Sequence, residues 1–171
     1  MCALRQHCDV TETMNYILTQ CGTPGQKEIW ELDKQMWTRK NLEWRQPWIG
    51  SIISCGLAEF STSDGKRNFG ADRLWRIVIS ESAHQIWKMR GERVIRNEST
   101  PYTQEVRNKW YKIMDDRLEI DCRTSGTTNL RYGRKGQKTR IVTNTWKGTL
   151  ENEEDLRSNC QLARGKRGFS G

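Results

Sequence analysis

The residues whose types and spacing come closest to metal chemistry lie near the start of the chain. A zinc knuckle needs four nitrogen or sulfur ligands, and a Cys-x2-Cys-x7-His-x4-Cys frame would place them at positions 5, 8, 16 and 21. Only Cys8 and Cys21 are of a zinc-binding type. Arg5 has a fixed positive charge, and the phenol of Tyr16 stays protonated near neutral pH. We therefore predict that Cys8 and Cys21 are remnant positions and that no metal is bound.

Acidic residues and one histidine are the other candidates for catalysis. Cleavage with two metal ions needs several carboxylates that converge on Mg²⁺, and the candidates are Asp72, Glu81, Asp115, Asp116, Glu119 and Asp121. Asp115, Asp116 and Glu119 fall on the polar side of an amphipathic helix, where acids are expected without a catalytic role. His84 follows Glu81 at helical spacing, which suits a general base but is more typical of a structural histidine. We predict no enzymatic activity and no cofactor.

Two basic segments are the candidates for contact with nucleic acid. The 171 residues have a net charge of +8, which favours polyanionic partners. The basic candidates are Lys88, Arg90, Arg93, Arg96, Arg131, Arg134, Lys135, Lys138 and Arg140. Such side chains displace counterions from phosphates without regard to sequence, and Tyr132 or an exposed Trp could stack on single-stranded bases. The alternative is that they suit a helix dipole and keep the domain soluble.

The elements that must position these residues are predicted to be helices. Apolar residues recur at i, i+3, i+4 and i+7 through most of the chain. This spacing predicts a mainly α fold, an irregular bundle of about five or six helices, with a flexible basic linker and a disordered C-terminal tail. The tryptophans expected in or near the core are Trp30, Trp37, Trp75, Trp87 and Trp110.

The pattern divides the chain into three predicted segments. Residues 1–60 form a degenerate knuckle-like helical segment, truncated at its N-terminus, and residues 71–122 form a helical hairpin. Residues 123–171 combine the basic linker, which extends to Arg140, with a short helix and the tail.

Helix boundaries follow from local signals. Thr23 is expected to cap a helix that starts at Pro24, with Gln26 completing a capping box. A further helix is expected over 49–60, and the longest one over 71–98.

Cysteine usage and hydropathy indicate an intracellular protein. The six cysteines show no regular disulfide framework, so Cys55 and Cys122 are expected to be small buried side chains in a reducing setting. No secretory signal is visible, and no apolar run approaches the roughly 18 residues that span a bilayer. No membrane partner is therefore expected.

Several blocks, taken in order, resemble one known family. They are the degenerate knuckle, 55–58 (CGLA), 79–90 (ISESAHQIWKMR), 92–95 (ERVI), 118–122 (LEIDC), 131–133 (RYG) and 145–146 (TW). Together they resemble the region that follows the RNase H domain in the polyproteins of fungal non-LTR (LINE-like) retroelements. The likeness extends from Cys8 to about Leu156, and the blocks are specific only in combination.

The resemblance implies an accessory region associated with reverse transcriptase and RNase H domains that this chain lacks. It also implies that the chain starts inside the knuckle region. The predicted function is a non-catalytic fragment of such a polyprotein that binds RNA or DNA weakly and without sequence preference. Two alternatives stay open: a helical protein–protein interaction module that self-associates through exposed Trp, and a decayed open reading frame with no selected function.

The two missing knuckle ligands lead to a direct test. We expect elemental analysis of the purified protein to find no stoichiometric zinc, because two ligands of four rarely form a site. A content near one zinc per chain would contradict this expectation.

Overall fold

The computed structural model describes residues 12–22, 25–95, 102–126 and 135–150, with only the backbone at 126 and 135–138. The elements are a π-helical turn Tyr16–Gln20, α1 Gln26–Thr38, α2 Ile49–Ile53, a 3-10 turn Cys55–Leu57, α3 Phe69–Ile95, α4 Thr103–Gly126 and α5 Lys135–Trp146. The predicted mainly α fold is confirmed. Within these ranges, no helix is long and apolar enough to cross a membrane.

Helix α1 starts later than its sequence suggested. The Glu28 carboxylate accepts a hydrogen bond from the Gly25 N–H at 2.7 Å, which pairs an N–H group at the helix start. Gly25 has a φ of +111°, a conformation that glycine adopts without steric cost. The predicted start at Pro24 with Gln26 in the capping box is therefore wrong. Thr23 and Pro24 themselves lie outside the described residues.

Helix α3 begins at Phe69 because Asn68 caps it. The Asn68 side chain accepts a hydrogen bond from the Ala71 N–H at 3.0 Å, a typical N-cap contact. Asp72 in the first turn suits the positive end of the helix dipole and also accepts the N–H of Phe60 at 2.7 Å. Buried residues occur on several sides of α3, which makes it the central helix of the bundle.

Helices α1 and α4 both run antiparallel to α3. Trp37 of α1 meets Trp75 of α3 with ring centroids 5.0 Å apart, whereas Gly25, just before α1, lies against Met89 near the other end of α3. Arg73 near the start of α3 pairs with Asp121 near the end of α4, and Glu92 near the end of α3 pairs with Lys109 near the start of α4. One hydrophobic core, extending from Ile17 to Trp146, draws residues from all three predicted segments.

The centre of this bundle contains a buried carboxyl group. Asp33 of α1 is 0 % exposed. Its Oδ1 atom accepts hydrogen bonds from Ser82 Oγ of α3 at 2.8 Å and from Trp110 Nε1 of α4 at 2.7 Å. Its Oδ2 atom has no hydrogen-bond partner among the described residues. Burial raises the pKa of Asp33 well above its usual value, and the bonds from Ser82 and Trp110 offset this only in part.

A second buried carboxyl group joins α3, α4 and α5. Arg73 of α3 donates two hydrogen bonds to Asp121 of α4, at 2.6 and 2.7 Å. Trp146 Nε1 of α5 donates to the same carboxylate at 2.8 Å. Burial raises the pKa of Asp121, but the bonds from Arg73 and Trp146 and the nearby cations outweigh it and hold this pKa below its usual value.

Helix α5 is further held by close backbone contact and by a cation at its C-terminal end. A Cβ on Gly70 would lie 2.3 Å from the Asn144 carbonyl oxygen, so only glycine allows this approach of α3 and α5. Lys40 Nζ donates to the carbonyls of Asn144 and Lys147, both at 2.9 Å. These carbonyls are at the negative end of the helix, where a cation is stabilising.

Two predictions about exposure and helix length are wrong. Trp87 is 47 % exposed, because Ile86 and Met89 fill the core side of α3 and Trp87 points about 100° away from Ile86 around the helix. The helix expected over 49–60 is instead the short α2 and a 3-10 turn. It leaves Leu57 exposed.

The predicted linker is partly helical. Helix α4 continues through 123–126, and α5 already begins at Lys135; residues 127–134 lie outside the described part of the chain. Tertiary contacts explain why this segment is helical, because Val142, Thr145 and Trp146 of α5 are buried and packing stabilises helices more than local propensity does. The predicted tail, 157–171, also lies outside the described residues.

Cys55 and Cys122 are both buried, as predicted. Burial raises the pKa of the Cys55 thiol, as expected for an inert thiol. Cys122, however, is disulfide-bonded, so the expectation of a reduced thiol is wrong for Cys122.

Two substitutions of Asp33 should separate the effect of its hydrogen bonds from the effect of its ionisation. We expect Asp33→Ala to lower the free energy of unfolding by about 2–4 kcal/mol, since Trp110 and Ser82 lose their buried acceptor. Asp33→Asn keeps an acceptor and should retain more stability. Chemical denaturation would measure both variants.

The unaltered protein and Asp33→Asn should differ in how their free energy of unfolding depends on pH. A raised folded-state pKa means that the contribution of Asp33 is complete below its usual pKa of 3.8 and is lost as pH rises through the folded-state pKa. Asp33→Asn should remove this decrease. An equal decrease in both proteins would show that Asp33 does not cause it.

The glycine contact between α3 and α5 yields a matched pair of variants. Gly70→Ala should lower the free energy of unfolding by about 1–3 kcal/mol, because its Cβ must displace backbone. Gly91→Ala, in the same helix, has nothing within 4 Å and should stabilise by about 0.5–1 kcal/mol. Thermal unfolding would test both, and similar shifts in the two variants would contradict the close contact.

Candidate nucleic-acid interface

The predicted basic residues are divided between α3, α5 and parts of the chain outside the described residues. Lys88 is exposed on α3, and Arg140 is exposed on α5. Lys135 and Lys138 belong to α5, where only their backbone is described. Arg96, Arg131 and Arg134 lie outside the described residues. The structure therefore does not show the nine predicted basic residues on one common surface.

Two of the predicted arginines are partly buried. Arg90 forms an ion pair with Glu12, and both side chains are largely shielded from solvent. Arg93 is also partly buried, with its Nε atom shielded. Arg90 therefore joins the N-terminal segment to α3, and neither guanidinium group is presented to solvent as Lys88 is.

A groove between α3 and α4 brings Lys88 together with basic residues that the sequence analysis did not select. The groove has a volume of about 370 Å³ and is lined by Gln85, Lys88, Glu92, Asn108, Lys109, Lys112 and Ile113. The antiparallel pairing of α3 and α4 creates it, because residues 85–92 of one helix face residues 108–113 of the other. Three lysines, two amides and one acid suit contact with phosphate and sugar groups.

The three lysines differ in how strongly they are already paired. Lys109 Nζ lies 3.7 Å from Glu92 and 2.8 Å from Glu105. Lys112 Nζ lies 2.7 Å from Asp116, and the hydrogen bond that Lys112 donates to this carboxylate raises the pKa of Lys112. Lys88 forms no ion pair with any residue that the structure describes. A phosphate in the groove would meet one available ammonium group and two that it must share with carboxylates.

Most of the acidic residues considered for catalysis are paired with basic side chains. Glu119 pairs with Arg123 at i, i+4, Glu81 lies 4.0 Å from Arg117, and Asp121 is held by Arg73. His84 is exposed on α3. No group of three or more His, Cys, Asp or Glu side chains converges as a metal site within the described ranges.

The knuckle positions are only partly described. Arg5 and Cys8 lie outside the described residues, so the convergence of the four positions stays untested. Tyr16 begins the π-helical turn, whose Ile17 and Leu18 are buried. The Leu18 carbonyl accepts a hydrogen bond from Trp30 Nε1 at 2.8 Å, which fixes this turn against α1.

Lys109 and Lys112 were missed because their sequence signal is weak. They are three residues apart on the polar face of α4, a spacing that places them side by side, but basic residues on such a face are usually explained by solvation. Only the pairing of α4 with α3 places them beside Lys88.

Comparison with known proteins adds no identification: no protein-family model, no curated protein and no solved structure matches this chain.

Proposed function

We propose that the chain is a non-catalytic accessory region that binds RNA or DNA weakly and without sequence preference. The observation that supports this most directly is the α3–α4 groove, where Lys88, Lys109 and Lys112 come together. The net charge of +8 supports the same conclusion, because long-range attraction of a polyanion depends on the sum of the charges.

The pairing of the lysines explains why the proposed binding is weak. Carboxylates from Glu105 and Asp116 lie within 3 Å of Lys109 and Lys112, so a phosphate has to compete with them. Contacts of this kind are exposed and screened by salt. They also reach phosphate rather than base edges, which makes them indifferent to sequence.

The resemblance to the region behind RNase H in fungal non-LTR retroelement polyproteins supports a matching biological role. In this proposal the chain belongs behind the reverse transcriptase and RNase H domains and keeps their nucleic acid close by. Within the resembling block 79–90, Lys88 contributes directly to the groove, and Arg90 holds the N-terminal segment through Glu12.

Removal of two groove lysines should weaken binding and its salt dependence. We expect Lys88→Gln combined with Lys112→Gln to lower the affinity for a short DNA duplex and to reduce the slope of log K against log salt by about 1–2. Fluorescence anisotropy across a salt series would measure both quantities.

A second double variant controls for the change in net charge. Lys34→Gln with Lys66→Gln removes the same charge from exposed positions outside the groove. An equal loss in both double variants would show that net charge acts without this groove. An absence of binding to both duplex and single-stranded DNA by the unaltered protein at low salt would refute the proposed function.

A further inference from the structure

One large aromatic side chain is displayed on the surface beside a second groove. Trp48 is 64 % exposed, although Pro47, the residue before it, is buried. It immediately precedes the short helix α2, far along the chain from the lysines of the α3–α4 groove. Exposed tryptophans beside a groove often mark binding sites.

The Trp48 ring is held in place despite its exposure. A Cβ on Gly50 would lie 2.0–2.7 Å from three atoms of the six-membered ring, so the indole lies against the glycine backbone. The Trp48 N–H donates to Ser51 Oγ at 2.9 Å, and that hydroxyl donates to the Trp48 carbonyl at 2.8 Å. A ring fixed in this way loses little conformational freedom when a ligand binds.

The groove beside Trp48 has the size and lining for one planar aromatic group. Its volume is about 280 Å³, compared with about 150 Å³ for a cavity that holds benzene. Phe60 and Trp75 provide apolar surface, and Arg45, Ser51 and Ser54 provide polar groups at the same groove. Apolar walls with a few polar groups are typical of small-ligand sites.

The charge near this groove favours an anionic ligand. Arg45 forms no ion pair with any residue in the described ranges, and the same is true of Arg76, whose Cδ lies against Gly56. Glu59, the one acid among the described residues that line the groove, is already paired with Arg67 at 2.6 Å. An aromatic ligand with a phosphate next to it would complement these groups.

We infer that the Trp48 groove binds one unpaired nucleobase of single-stranded RNA or DNA. The base stacks on the exposed indole, and Arg45 faces the adjoining phosphate. Any of the bases can stack on an indole in this way. A duplex cannot bind in this way, because its bases are already paired and stacked. The inference rests on the proposed function in that it assumes a nucleic-acid ligand, and it adds a preference for single strands.

Three ligands separate the contribution of the base from that of the backbone. They are a short oligothymidylate, an abasic strand of the same length, and a duplex, each labelled and titrated at one low salt concentration. We expect the oligothymidylate to bind most tightly. Trp48→Ala should weaken oligothymidylate binding about tenfold, as for the loss of one base–aromatic stack, and leave duplex binding unchanged.

Two further variants test the position of the ring and the specificity of the effect. Gly50→Ala keeps the indole but displaces it, so it should weaken oligothymidylate binding in the same direction as Trp48→Ala. Trp87→Ala removes another exposed tryptophan, on α3 and outside both groove linings, and should leave all three affinities unchanged. Circular dichroism would confirm that each variant is folded.

The outcomes distinguish this inference from the proposed function. Equal affinity for the oligothymidylate and the abasic strand, or no effect of Trp48→Ala, overturns the inference while duplex binding keeps the proposed function. Absence of binding to all three ligands overturns both. Self-association that Trp48→Ala abolishes, with unchanged binding to the strands, assigns the groove to a second copy of the chain and also overturns the inference.

Discussion

The burial of the Asp33 carboxyl group between three helices is the constraint on which the rest of the structure depends. A buried polar group is stabilising only when it is paired, and Ser82 and Trp110 provide the two donors. Because α1, α3 and α4 each contribute one partner, these contacts fix the positions of the three helices relative to one another along their axes. Burial favours the neutral acid, since no cation of the described residues is paired with this carboxyl group as Arg73 is with Asp121.

Asp121 repeats this arrangement at the far end of α4, with an opposite electrostatic result. Its partners Arg73 and Trp146 hold it charged, and they attach α5 to the α3–α4 pair. Both contacts fix the register of α4 against α3, and this register brings Lys88 beside Lys109 and Lys112. The surface proposed to meet phosphate is therefore a consequence of polar contacts buried elsewhere in the bundle.

The helical fold could be predicted because apolar spacing is local. Val106, Trp110, Met114 and Leu118 recur at helical period, and all four are buried. The predictions from sequence were wrong where tertiary contacts determine whether a side chain is exposed or paired. Trp87 has the same residue type as Trp110, but core space beside α3 is already filled. For the interface, Lys88 was identified from charge alone, whereas Arg90 was expected to be available and is paired with Glu12.

The sequence by itself determined the helical class, the basic character and most of the tryptophan core, because composition and periodicity are properties of neighbouring residues. Only the tertiary structure decided which polar residues are partners. Asp33 and Trp110 are 77 positions apart, and no local pattern marks one as the acceptor for the other. It also decided where an indole stays exposed, since Trp48 rests on Gly50 while the similar Trp37 is buried among other rings. Such outcomes depend on which surfaces meet, and that is fixed only when the whole chain has packed.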